Sequence, residues 1–194
     1  NYATDRSERT LIHKGPAEQA EIRVYWSARD DSDLKEAMGL NLLSRVMQLM
    51  LTEELREKLG ESYSPGAGSS LSDEFPGYGH VYAASNVDYK DIATTRAAIF
   101  AIAKDLRDKP VDADLIERAR KPLLEAMTKA RRENSYWLPY VSEATSKEAR
   151  LDRSRQSLAI VAGVTPADLQ MLAKRYLTDD KALVIKAVSD KAVK

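Results

Sequence analysis

The chain has no cysteine among its 194 residues. Disulfides, thiolate nucleophiles and cysteine-ligated zinc are therefore excluded. Histidine is almost as scarce: His13 and His80 are the only two, and they stand far apart. A zinc site needs about three protein ligands, commonly with two His one helical turn apart. Neither H-x-x-E-H nor H-E-x-x-H occurs, and G-x-S-x-G, P-loop and G-x-G-x-x-G patterns are missing too. The two histidines read as isolated surface or strand residues. Charge of one sign is also lacking, since 30 basic residues balance 30 acidic ones. A nucleic-acid partner would call for a basic excess. No apolar run approaches the ~20 residues that span a bilayer. Lack of cysteine suits cytosol and periplasm alike.

What is present is ordinary for a soluble domain. Hydrophobic residues make up 43% and charged residues 31%, so a packed core is affordable and disorder is not expected. The length fits one domain over 1–194. The chain opens Asn1-Tyr2-Ala3, with neither Met nor an apolar h-region. It is therefore not a signal peptide, and it reads as processed or cut from something longer. Residues 1–18 read as a polar lead-in with a turn at Gly15-Pro16.

Alternation then begins. Ile22, Val24, Trp26 and Ala28 share one side, against Arg23, Tyr25 and Ser27, which predicts a half-buried strand. Asp30 to Asp33 supply capping groups, and a helix is expected from Leu34 to Leu59. Its apolar face includes Met38, Leu42, Leu43, Val46, Met47, Met50, Leu51 and Leu55. Ser62–Ser72 and Tyr78–Val87 read as two antiparallel strands around Asp73-Glu74-Phe75-Pro76-Gly77. Gly66 and Gly68 predict a bulge or a close approach in the first of them. Helices are expected over about Tyr89–Asp108 and from Asp112, the latter kinked at Pro122. The stretch 134–162 reads as interrupted helix. Thr165-Pro166 opens a further helix, and Ala182–Val188 forms a closing strand. This order is not βαβ alternation. It predicts an α+β fold: an antiparallel sheet covered on one face by helices.

One stretch carries more information. Leu55-Arg56-Glu57-Lys58-Leu59-Gly60 runs into Glu61-Ser62-Tyr63-Ser64-Pro65, a helix end meeting a strand start. On its own residues, Arg56 could pair with Glu53 or Glu57 or with an Asp or Glu elsewhere on the surface, and Tyr63 could be an ordinary strand aromatic. The junction resembles the one in the metal-free half of the insulinase/pitrilysin zinc metallopeptidases. The likeness extends from the strand after Lys14-Gly15 through the Gly77-Tyr78-Gly79 hairpin. It continues in Arg132-Glu133-Asn134-Ser135-Tyr136-Trp137-Leu138 and Val164-Thr165-Pro166-Ala167-Asp168-Leu169, covering nearly all of residues 10–190.

The resemblance implies two α+β halves around an enclosed chamber. One half holds zinc through H-x-x-E-H and a distal Glu. The facing half has no metal or other cofactor and supplies an Arg and a Tyr seven positions apart, as Arg56 and Tyr63 are here. A phenol stays protonated at neutral pH and donates well to a developing oxyanion. A guanidinium can hold carbonyl oxygens. The implied partners are a peptide substrate and a zinc-bearing half, on the same polypeptide or on a partner subunit. The implied compartment is the bacterial periplasm, with the cytoplasm as the other option. Alone, the chain should be inactive. A second possibility is a non-catalytic, peptide-binding or chamber-completing subunit. Tyr136 and Trp137 are expected either in the core or against a neighbouring unit.

Overall fold

The computed structural model describes residues 4–59, 65–142 and 149–192. Among them, five strands form one sheet in the order β1-β5-β2-β4-β3. The strands are β1 (Arg9–His13), β2 (Gln19–Ala28), β3 (Gly66–Leu71), β4 (Gly79–Asp88) and β5 (Ala182–Ser189). The helices are α1 (Leu34–Leu59), α2 (Ile92–Asp108), α3 (Ala113–Ala130), α4 (Asn134–Ser142), α5 (Ala149–Gly163) and α6 (Pro166–Tyr176).

Period-two patterning decides which side of the sheet is buried. Ile22, Val24 and Trp26 of β2, with Val81 and Ala83 of β4, have no solvent exposure. Their neighbours Arg23 and Asn86 are exposed. The helices lie on the buried side: α1 packs on β3 and β4, and α2 on β2 and β4. Leu42, Leu43, Val46, Met47, Leu51 and Leu55 of α1 are fully or almost fully buried in this layer. The α+β architecture with one covered face is therefore as the patterning indicated.

The sheet is mixed rather than wholly antiparallel. β2–β4, β2–β5 and β3–β4 are antiparallel, but β1 runs parallel to β5. The expected lead-in over 1–18 thus contains a strand. Arg9 to His13 show no alternation of burial, and Leu11 and Ile12 are each 57% exposed. Local pattern could not reveal a strand placed by main-chain pairing with β5 rather than by a buried face of its own.

Local chemistry explains the helix starts. The Asp33 carboxylate accepts the Glu36 N–H at 3.0 Å. Asp112 accepts from Asp114 and Leu115. Thr165 and Asp168 form a reciprocal capping box, with Pro166 at the first position. α3 continues through Pro122.

Asp30 ties the β3–β4 hairpin to the start of α1. Its carboxylate accepts from Ser32 N and Oγ and from the Gly77 N–H, where Gly77 supplies the positive φ of 72° the turn requires. These bonds, the Ser32 hydroxyl first, hold the Asp30 carboxyl down at about 2. A depressed folded-state value means the ionised form stabilises the fold. That contribution is complete above the ordinary value of 3.8 and fades as pH falls towards about 2. Thermal melts of Asp30→Asn should therefore show a deficit against the parent at neutral pH. The deficit should shrink as pH falls from about 4 towards about 2; a constant gap would contradict the assignment.

Candidate functional site

Arg56 lies in the last turn of α1 with its side chain exposed. A cation there complements the helix dipole. Glu53, one turn back, is engaged elsewhere, since Arg118 of α3 binds it at 2.5 Å. No carboxylate among the described residues pairs with Arg56, so the ion-pair alternative has no support there. Tyr63 lies outside the described residues, and with it the geometry of the Arg56–Tyr63 pair.

Arg56 belongs to a larger feature. Asn41, Arg45, Gln48, Thr52 and Arg56 recur at spacings of 4, 3, 4 and 4, so they lie along one stripe of α1. Gln48 sits in the middle, beside the edge of β3. Its Nε2 donates to the Pro65 carbonyl at 2.8 Å, and its Oε1 accepts the Ala67 N–H at 2.9 Å. One side-chain amide thus does for the edge what a peptide unit of a further strand would do. The Arg45 Nε donates to the Asn41 amide oxygen at 3.1 Å. At about 1.5 Å of rise per residue, Arg45 and Arg56 stand about 16 Å apart along the helix. The stripe was legible in the sequence as polar positions at helical spacing within an apolar helix. The role of Gln48 was not, because it depends on where β3 lies.

The uncovered face of the sheet carries an aromatic group. Tyr25 packs edge-on against His80 with centroids 5.4 Å apart, and Tyr82 lies 6.1 Å from His80. Gly68 makes room for this. A Cβ there would fall 2.7 Å from the Tyr82 ring, which is the close approach the glycine indicated. Burial pushes the His80 imidazole below its ordinary value, so it is neutral near pH 7. His13 is engaged elsewhere. Its Nδ1 accepts the Gly15 N–H at 3.0 Å, while its Nε2 faces the Gln19 carbonyl at 3.0 Å. Among the described residues no three His, Asp or Glu side chains converge as metal ligands. The described residues therefore offer no zinc site, and the sequence holds no H-x-x-E-H.

Tyr136 and Trp137 lie outside the main core. Tyr136 Oη meets Ser154 Oγ at 3.0 Å, and Trp137 Nε1 donates to the Arg131 carbonyl at 2.7 Å. With Tyr140 they form a ring cluster on α4. Leu138 and Val141 of that helix are 69% and 68% exposed.

This fold is shared with units of known peptidases. A protein assigned as an M16-like peptidase from Alicyclobacillus acidocaldarius superposes with a TM-score of 0.76 at 16% identity, over 95% of this chain and 44% of that one. The periplasmic protease PqqL from Escherichia coli gives 0.76 at 12% identity, over 97% of this chain and 21% of PqqL. The inactive peptidase domain of a protein assigned as a zinc protease, from Bordetella parapertussis, gives 0.73 at 16% identity, with 91% and 96% covered. The chain thus spans less than half of the first two and nearly all of the third. It belongs to the peptidase M16 inactive-domain family, whose family model matches residues 1–123. No curated protein matches.

Proposed function

We propose that this chain is the metal-free half of an M16-type zinc metalloendopeptidase and forms one wall of its peptide chamber. Membership of the inactive-domain family carries this reading. In it, the zinc and the residues that activate water belong to a companion half, on the same polypeptide or on a partner subunit. The residues of this chain bind and orient. Arg56, exposed at the end of α1 and without a carboxylate partner among the described residues, holds a substrate carbonyl. Tyr63 donates its phenolic hydrogen to the oxyanion that forms as the amide is attacked. The likeness to a periplasmic Escherichia coli protease supports a periplasmic location, and no described helix is long and apolar enough to cross a membrane.

The test compares the chain alone with the intact assembly on a quenched fluorogenic peptide, together with zinc analysis. The chain alone should neither cut the peptide nor hold stoichiometric zinc. The assembly should do both. Hydrolysis by the chain alone would overturn the proposal.

A further inference from the structure

The edge strand β3 has an outer side that Gln48 satisfies only in part. The Ser72 N–H donates to the Tyr78 carbonyl across the hairpin. By the alternation of antiparallel pairs, Ala67, Ser69 and Leu71 therefore turn their main-chain groups away from β4. Gln48 takes the first of these positions by accepting the Ala67 N–H. Among the described residues, nothing takes the N–H and C=O of Ser69. An open edge of this kind is a template for another extended chain.

The surroundings narrow what that chain is. Beside Ser69 runs a groove of about 500 Å³, walled by α1, β3 and α3. Arg45 lines it and has no carboxylate partner among the described residues, its Nε donating to the Asn41 amide oxygen. Arg118 lines it as well, but Glu53 already matches its charge. Pro122, on the same wall, has no N–H to offer the Arg118 carbonyl one turn back. The groove therefore offers the N–H and C=O of Ser69 as main-chain partners and, from Arg45, a positive charge with no carboxylate partner among the described residues.

We propose that the outer edge of β3 and the groove between α1 and α3 dock an extended peptide segment bearing an acidic side chain. The segment pairs with the Ser69 main chain as an added strand and places its carboxylate at Arg45. The choice of a peptide rests on the chamber-wall reading above. The edge bonds and the charge are independent of Arg56 and Tyr63.

The test uses the intact protein with its metal chelated, so that the probe is not hydrolysed. The probe is a labelled synthetic hexapeptide of alternating threonine and valine with one central glutamate, set against its lysine counterpart. The glutamate peptide should bind more tightly than the lysine peptide and slow amide exchange at Ser69. Ser69→Pro removes the outward N–H without touching the ladder to β4, and should weaken binding roughly tenfold, as one or two lost hydrogen bonds imply. Arg45→Glu should reverse the preference between the two peptides, a result that loss of folding cannot imitate. Equal binding of both peptides, or unchanged exchange at Ser69 under saturation, would overturn the proposal. So would conversion of an oligomer to monomers by Ser69→Pro, because the edge would then serve a second copy of the chain. Failure here with intact sensitivity to Tyr63→Phe leaves the chamber-wall reading standing. The opposite pair of results removes the role of Tyr63 and leaves the docking edge.

Discussion

Replacing Tyr63 by Phe in the intact assembly is expected to lower turnover by more than tenfold, and by about 10²-fold if Tyr63 is a full oxyanion donor. The substitution removes one hydroxyl and keeps the ring. The aromatic ring is retained, so the loss should appear in the rate and not in the melting temperature. A donor that acts only as charge develops contributes to the transition state and little to the ground state. kcat and kcat/KM should therefore fall together, with KM nearly constant. Arg56→Ala should behave differently, because a guanidinium on a substrate carbonyl also binds the ground state. KM should rise in that variant. Unchanged turnover in Tyr63→Phe would remove Tyr63 from the chemistry and leave the chain as a binding or chamber-completing unit.

The largest stability effect is expected at Trp26. Its ring is fully buried on β2 and meets Phe100 edge-on at a centroid distance of 6.3 Å. Trp26→Ala should cost about 3–5 kcal/mol, from lost transfer energy plus a cavity that rigid neighbours cannot close. For a chain of this size that corresponds to a fall in melting temperature of roughly 10 °C. Trp26→Phe should cost less than its lost volume implies. The buried indole N–H has no described hydrogen-bond partner, and removing it relieves an unsatisfied donor. Calorimetry of both variants checks the ordering. A Phe variant as unstable as the Ala variant would show that the indole N–H is satisfied.

The sequence carried most of the architecture because most of its elements declare themselves locally. β2 alternates over its whole length, α1 is apolar along one wide face, and the Thr165–Asp168 box marks a helix start by side-chain chemistry alone. β1 does not declare itself, because its exposed residues are held by β5 and not by their own pattern. The candidate site divides in the same way. Arg56 could be found through its neighbours in sequence, as part of a junction resembling a known one. Gln48 and Arg45 acquire meaning only when a strand distant in sequence is laid beside α1.

The position of β5 bears on how the protein acquires its structure. It is the last strand of the sheet in sequence, yet it lies between β1 and β2. Ribosomal synthesis therefore delivers the connecting piece last. Until it arrives, β1 has no partner and β2 exposes one open side, to which other nascent chains can add. Such long-range closure slows folding relative to domains built from local contacts. Premature termination before Ala182 would therefore cost more than one strand, because it would release β1 as well and leave an aggregation-prone product.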